Sequence, residues 1–141
     1  YIRVSNKKQE DDLIRQKENL ENYLKQTNQE YEIISEIGSG INYNKPGLRK
    51  LIEKINKKEV DEVVVLYKDR LLRYGFELIE YFATLNNVKI RVLDKINQTE
   101  DEELVEDLVQ IITVFSCKIQ GKRKSKTKKI LEEIKEKINE I

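Results

Sequence analysis

The segment "DEVVVLY" at residues 61–67 constrains the fold more than any other part of the chain. It contains three consecutive valines and no charged residue between positions 63 and 67. A continuous apolar run of this kind suits a central parallel strand that is covered on both faces. Parallel strands are joined by long crossovers, which are usually helices. The run therefore predicts an α/β fold with crossover helices.

The order of the other predicted elements agrees with this fold class. Further strands are predicted at residues 1–5, 31–38 and 88–94, and helices at residues 8–27, 47–57 and 74–86. Strands that alternate with helices in this way predict an open, mostly parallel sheet of four to five strands, flanked by helices. We assign residues 1–100 to this α/β domain.

Residues 101–141 break the alternation, because they contain no proline and only one glycine, Gly121. Two apolar stripes follow at helical spacing: Leu104, Leu108, Ile111, Ile112, Phe115 and Ile119, and then Ile130, Ile134, Ile138 and Ile141. We predict one long helix over residues 101–141, which would measure roughly 60 Å at 1.5 Å per residue. Such a helix is too long to pack entirely on its own sheet, so we expect its far stripe to contact another chain. The alternative is a helix that ends near Gly121.

The composition excludes several kinds of chemistry. The chain of 141 residues has one cysteine, Cys117, and no histidine. An internal disulfide, a histidine-based triad and a histidine-ligated metal site are therefore excluded. We find no secretory signal pattern and no apolar run long enough to span a bilayer, and we expect a cytoplasmic protein without membrane contact.

Polar side chains gather where two predicted strands end. Ser5 ends the first strand and shares a face with Arg3, while Asp69, Arg70 and Arg73 follow the apolar run. The first and third strands of such a sheet are normally neighbours, so these side chains should meet at one edge. Arginines around a serine hydroxyl predict a phosphodiester site, because guanidinium groups match phosphate oxygens bidentately. The alternative is a surface helix start with solvated charges.

Together these residues resemble the catalytic domain of the serine recombinases, the resolvase and invertase superfamily. The shared pattern is Y-x-R-V-S with a following glutamine, a Gly-Ser-Gly loop that ends in a basic residue before glycine, and D-R-L-x-R. The matching residues are Tyr1, Arg3, Val4, Ser5, Gln9, Gly38, Ser39, Gly40, Lys45, Asp69, Arg70, Leu71 and Arg73. The ordered set covers nearly the whole chain.

The resemblance implies a mechanism. Ser5 would attack the DNA phosphodiester and form a 5′-phosphoserine link, followed by strand exchange and religation. The resemblance places Arg3, Arg70 and Arg73 on the scissile phosphate. Asp69 would orient the arginines or assist the proton to the leaving oxygen. The further site residues that it implies are Tyr1, Gln9, Gln16 and Lys45, the last standing where the family usually has arginine, and Glu36 stands where resolvases often have aspartate. We expect neither a cofactor nor a divalent metal, because the arginines supply the positive charge.

The resemblance also implies double-stranded DNA and further copies of the chain as partners. A basic run is expected to contact the DNA backbone through Lys122, Arg123, Lys124, Lys126, Lys128 and Lys129, although a solvated helix face is the alternative. We expect a homodimer in solution and a homotetramer on paired DNA sites.

The segments "YKDRLLRYGFE" and "FSCKIQGKR" resemble the serine transposases of a class of insertion sequences. Only 12 residues follow Lys129, too few for a helix-turn-helix domain. The chain also begins with tyrosine, so we expect a DNA-binding domain upstream, as in those transposases.

Two other functions compete with this one. The first is a catalytically inactive DNA-binding or oligomerisation module on the same fold, which would be marked by loss of Ser5 or of an arginine. The second is a nucleotide-binding enzyme, because "GSGINYNKPG" at residues 38–47 is a glycine-rich loop after a strand. That loop lacks the G-K-[ST] ending of a P-loop.

Overall fold

The computed structural model of the chain describes the backbone of residues 1–119 and 124–140 and the side chains of residues 1–119 and 128–140. The chain divides into two compact units, Tyr1–Gln98 and Thr99–Ile141.

The first unit alternates strands with helices, as predicted. Its strands are β1 (Ile2–Val4), β2 (Ser35–Ile37), β3 (Glu62–Val65) and β4 (Lys89–Val92). Its helices are α1 (Glu10–Gln26), α2 (Pro46–Asn56), α3 (Lys68–Leu71) and α4 (Phe76–Leu85), and a 3₁₀ turn at Lys7–Gln9 precedes α1. Both strand pairs, β1 with β2 and β3 with β4, are parallel. The α/β class and the parallel strands are confirmed.

The sheet differs from the single open sheet that was predicted. The strands form two separate two-stranded ladders rather than one sheet of four to five strands. The first and third strands are neighbours, as one hydrogen bond shows: the backbone nitrogen of Tyr1 donates to the carbonyl of Val64 at 3.0 Å. A ladder needs such bonds repeated along both strands, and β1 spans only three residues. The prediction that the first and third strands are adjacent is thus confirmed. A hydrogen-bonded ladder that runs through all the strands is not observed.

The core of the first unit lies around β3. Val63 and Val65 are buried and Val64 is half-buried, in keeping with a strand that is covered on both faces. Helix α2 contributes Leu48, Leu51 and Ile55, and α4 contributes Phe76, Ile79 and Ala83. Burial of a large aliphatic or aromatic side chain contributes about 1.5–3 kcal/mol. This core fixes the carboxyl ends of the strands, where the candidate site lies.

The second unit contains two helices, α5 (Asp101–Ile119) and α6 (Lys124–Asn139), which contact each other. The helical structure predicted for residues 101–141 is thus observed on both sides of residues 120–123. Residues 120–123, where the alternative helix end near Gly121 was placed, lie outside the described residues.

The apolar stripe of α5 is largely exposed. Phe115 is 64% and Ile119 66% exposed. The positions that α5 buries are instead acidic, since Glu103 and Asp107 are each 4% exposed. Both carboxylates take part in polar interactions. On α6, Ile134 and Ile138 are half-buried, and Ile141 lies outside the described residues.

Within the described ranges, no helix combines the length and the apolar character needed to cross a membrane.

Candidate active site

Ser5 lies directly after β1, in a turn that the side chain of Gln9 stabilises. The side-chain oxygen Oε1 of Gln9 accepts hydrogen bonds from the backbone amides of Ser5 at 2.9 Å and Asn6 at 3.1 Å. The side chain of Asn6 in turn accepts from the amide of Lys8 at 3.0 Å and starts the 3₁₀ turn. A side chain that caps two consecutive amides fixes the backbone of the residue that carries the hydroxyl. Gln9 therefore positions Ser5 through its backbone.

Arg3 is completely buried and links the segments that form the site. Its Nη1 donates to Oγ of Ser5 at 3.1 Å and to the carbonyl of Gly38 at 2.9 Å. Its Nε donates to the carbonyl of Arg70 at 3.2 Å, and its Nη2 donates to that of Asp69. One guanidinium group thus joins the ends of β1 and β2 to α3. The contacts of Arg3 are thus with the serine and with three carbonyls, and its place on the scissile phosphate stays a prediction.

Gln16 holds the backbone of Arg3. Its Oε1 accepts from the amide of Arg3 at 3.2 Å, and its Nε2 donates to the carbonyl of Arg3 at 2.8 Å and to Asp12 at 3.1 Å. The side chain is fully buried. Its hydrogen bonds therefore tie Gln16 to the backbone of β1, a role that the sequence pattern did not indicate.

The acidic and basic residues after β3 pack together. Oδ2 of Asp69 accepts from Nη1 of Arg73 at 2.6 Å. Arg70 donates from Nη1 to the carbonyl of Arg3 at 3.1 Å, and its guanidinium lies 5.0 Å from the centre of the Tyr67 ring. Arg70 and Arg73 are both buried. The predicted gathering of these residues with Ser5 and Arg3 at one edge is observed.

The position of Arg73 is set by the glycine-rich loop rather than by a helix. Helix α3 ends at Leu71, and Leu72 is extended. Arg73 instead lies beyond the helix, where its amide donates to the carbonyl of Gly40 at 3.0 Å. The contact with the loop, rather than helical spacing, sets its position.

The glycine-rich loop packs against side chains of the protein itself. Nζ of the buried Lys45 donates to the carbonyls of Ser39 at 2.6 Å and Asn42 at 2.8 Å. A Cβ on Gly38 would lie 2.6 Å from Cδ of Lys45. A Cβ on Gly40 would lie 3.0 Å from Nη2 of Arg3. The glycines thus make room for Lys45 and Arg3. Lys45, which the resemblance implies as a site residue, also ties the loop together through these hydrogen bonds.

Tyr1 and Glu36 connect β1 to the start of α2. The Tyr1 hydroxyl donates to the Glu36 carboxylate, which also accepts from the amides of Gly47 at 2.8 Å and Leu48 at 2.9 Å. A carboxylate at a helix N-terminus satisfies free amides and interacts favourably with the helix dipole. Burial, followed by the hydrogen bond to Glu36, raises the pKa of the Tyr1 phenol. The Tyr1 hydroxyl is therefore a hydrogen-bond donor in a structural contact between β1 and the start of α2.

Sequence reasoning missed one side chain at this site. Nδ2 of Asn97 donates to Oδ2 of Asp69 at 2.6 Å. An asparagine in a polar segment after a strand carries no pattern that distinguishes it from an ordinary loop residue. Only the fold places it beside Asp69.

The predicted DNA-contact run is described only in part. Lys128 and Lys129 are exposed on α6. Lys124 and Lys126 belong to α6 by their backbone, and their side chains lie outside the described residues, as do Lys122 and Arg123 entirely.

Two features bear on the alternative functions. A cavity of about 420 Å³ opens at the amino ends of β1 and β3, away from Ser5, and shares only Tyr1 with the candidate site. No group of three potential metal-ligating side chains occurs among the residues with described positions. The glycine loop is occupied by Lys45 and Arg3, which speaks against a nucleotide there.

Comparison with known proteins identifies relatives of the chain. A family model described as "Resolvase, N terminal domain" matches residues 1–137. Protein L103 of Acanthamoeba polyphaga mimivirus, which carries the name of a resolvase, is 48% identical over 130 residues. That match covers 91% of this chain and 66% of the viral protein, so the chain spans slightly less than two thirds of that relative's length.

Solved structures give the same result. The C-terminal catalytic domain of ISC1926 TnpA, an IS607-like serine recombinase, is 40% identical with a TM-score of 0.89, over 99% of this chain and 96% of that one. A serine recombinase from Sulfolobus solfataricus is 40% identical with a TM-score of 0.83, over 98% and 94% of the two chains. The resemblance to serine recombinases is confirmed. Because the family model covers almost every residue, the chain belongs to the resolvase family, whose N-terminal domain it matches.

Proposed function

We propose that the chain is the catalytic domain of a serine recombinase, which cleaves and rejoins double-stranded DNA with Ser5 as its nucleophile. The observation that carries this proposal is the contact of 3.1 Å between Nη1 of Arg3 and Oγ of Ser5. Arg3 donates to the serine oxygen, so it stabilises negative charge there and leaves the hydroxyl proton free to depart. Besides joining β1, β2 and α3, the buried guanidinium therefore gives Ser5 a charged hydrogen-bond donor at the strand end.

The proposed reaction balances without a metal or a cofactor. Oγ of Ser5 loses its proton and forms a bond to the phosphorus, and the bond from phosphorus to the 3′ oxygen breaks. The leaving 3′ oxygen takes up a proton and becomes a hydroxyl. Rejoining reverses these steps with the 3′ hydroxyl of the recombining strand as nucleophile. The phosphodiester energy is conserved in the phosphoserine bond.

Arg70 and Arg73 supply the remaining positive charge at the site. Preorganised cations that face the developing negative charge of a transition state act strongly in a site from which water is excluded. Both arginines are buried beside Asp69, which holds Arg73 at 2.6 Å. Asp69 thus fixes the direction of a guanidinium, and this supports its role as an orienting residue.

The second unit supports an assembly on DNA. The exposed Leu104, Leu108, Val114, Phe115 and Ile119 on α5 form a face that soluble monomers rarely leave in water. Double-strand exchange needs four cleavages, and each subunit cuts one strand. We therefore propose a homodimer in solution and a homotetramer on paired sites, with the basic run at residues 122–129 along the DNA backbone.

The similarity to an IS607-like serine recombinase supports a role in transposition. The outcome on DNA would then be excision and insertion of a mobile element. The solved relative is a C-terminal catalytic domain, and by analogy we propose a further domain upstream of residue 1.

A trapped covalent intermediate tests the proposal. The full-length protein is incubated with a nicked duplex, and adducts that survive denaturation are located by peptide mass spectrometry. We expect phosphoserine at Ser5 and no adduct from Ser5→Ala. Ser35→Ala, which removes an exposed hydroxyl at the start of β2, should react like the unmodified protein.

An adduct of normal yield from Ser5→Ala would refute the assignment of the nucleophile. DNA binding by the unmodified protein without any adduct would instead favour the inactive DNA-binding module. The intact set of Ser5 and three arginines argues against that alternative.

A further inference from the structure

The segment between β4 and α5 reaches the candidate site for a topological reason. Because β4 runs parallel to β3, both strands end at the same edge. The backbone amides of Leu93 and Asp94 continue the pairing by donating to the carbonyls of Val65 at 3.1 Å and Leu66 at 2.7 Å. Asp69 lies three residues after Leu66, on the segment that follows β3. The residues that follow Asp94 therefore pass directly by the start of α3.

The side chain of Asp94 shapes this segment into a turn. Its Oδ1 accepts from the amide of Ile96 at 2.9 Å, and its Oδ2 accepts from Nε2 of Gln98 at 2.7 Å. An aspartate that accepts from the amide two residues ahead forms a local turn of defined shape. Within this turn, Gln98 contacts Asp94 and Asn97 contacts Asp69. Two neighbouring amide side chains thus have different partners.

We propose that Asn97 is a positioning residue for DNA cleavage, which acts by fixing the carboxylate of Asp69. This inference rests on the proposed function. Asn97 and Arg73 donate to the same oxygen, Oδ2 of Asp69, each at 2.6 Å. Two donors from distant parts of the chain restrict the rotation of the carboxylate far more than one. The direction of the carboxylate in turn sets the direction of the Arg73 guanidinium toward the phosphate.

The effect should fall on the rate of cleavage rather than on DNA affinity. Asn97 is exposed and contributes no core packing, so its loss should leave the fold intact. A misplacement of about 1 Å in a catalytic group can lower a rate by about 100-fold. Asn97→Asp replaces the donor with a carboxylate of the same shape, which repels Asp69. We expect a loss of roughly 10- to 100-fold in the rate of covalent adduct formation.

Gln98→Glu is the matched control. It also replaces an amide with a carboxylate of the same shape, one residue along the same turn, and also faces an aspartate, Asp94. Both variants add one negative charge, at neighbouring positions of the same turn, so their effects on DNA binding should match. Asn97→Ala removes the donor without adding a charge, and it replaces Asn97→Asp in the experiment if that variant does not fold.

The experiment measures single-turnover adduct formation on the nicked duplex at saturating protein, together with the Kd for that duplex. We expect Asn97→Asp and Asn97→Ala to form adduct slowly with the Kd of Gln98→Glu, whose rate stays near that of the unmodified protein. Equal rates for Asn97→Asp and Gln98→Glu, or a loss confined to Kd, would overturn the inference. Absence of adduct from the unmodified protein would instead contradict the proposed function.

Discussion

The replacement Gln16→Leu tests whether a buried glutamine organises the candidate site. Leucine has nearly the volume of glutamine, so the change removes the two hydrogen bonds to the Arg3 backbone with little change in packing. The carbonyl of Arg3 keeps a donor, because Nη1 of Arg70 lies 3.1 Å away. The amide of Arg3 loses its Gln16 acceptor at 3.2 Å in a fully buried position.

The magnitude follows from these contacts. Each buried hydrogen bond contributes about 1 kcal/mol net, and an unsatisfied buried amide lies at the upper end of that range. We expect the free energy of unfolding to fall by about 2 kcal/mol, which corresponds to a Tm lower by roughly 6–8 °C in a chain of this size. Because β1 carries Arg3 and leads directly into Ser5, adduct formation should slow by roughly tenfold as well.

Tyrosine fluorescence during urea unfolding is a suitable measurement. All seven tyrosines precede residue 99 and the chain has no tryptophan, so the signal reports the first unit alone. Gln26→Leu, at an exposed position at the end of the same helix α1, is the control and should leave both quantities unchanged. A change below about 0.5 kcal/mol for Gln16→Leu would show that the hydrogen bonds to Arg3 do not hold β1 in place.

Further replacements test other contacts of the molecule. Gly40→Ala would place Cβ 3.1 Å from Cβ of Arg73 and should slow cleavage at least tenfold, whereas Gly75→Ala, at φ 84° in open space, should lower only the free energy of unfolding, by about 1 kcal/mol. The raised pKa of the Tyr1 phenol, against an ordinary value of 10.0, means that folding favours the neutral form and loses this stability as the pH rises above 10.0. The free energy of unfolding should therefore fall less between about pH 8 and about pH 11 in Tyr1→Phe than in the unmodified protein. An equal fall in the two proteins would contradict the role of burial. Phe115→Arg should yield folded monomers by light scattering, and a monomeric unmodified protein at high concentration would refute the dimer.

The candidate site shows which predictions a sequence supports. Ser5, Arg3, Asp69, Arg70 and Arg73 were expected at one sheet edge, and the structure brings them together there. That expectation depended only on the order of strands and helices, because parallel strands place their carboxyl ends on one side. The order is encoded locally, in the valine run and in the helical spacing of apolar residues.

The roles of individual side chains were decided by the tertiary structure. Arg3, Gln16 and Lys45 were expected at the site, and the structure shows that they donate to backbone carbonyls of segments up to 67 residues away. Asn97 escaped notice because its partner, Asp69, is 28 residues distant. A hydrogen bond depends on how two segments approach within a few tenths of an ångström. Residue type and spacing do not carry that information between distant segments.

The same distinction holds for the elements themselves. Apolar periodicity identified every strand and every long helix of the first unit, because burial of one face is a local property of the sequence. The division into two ladders arises from the lengths and meeting points of strands that are far apart in the chain, and the contact between α5 and α6 likewise depends on how two elements meet in the folded chain. The sequence alone determined which segments are strands and helices and which residues could do chemistry at their ends. Tertiary structure decided which of those residues face one another, because only the folded chain sets the distances between them.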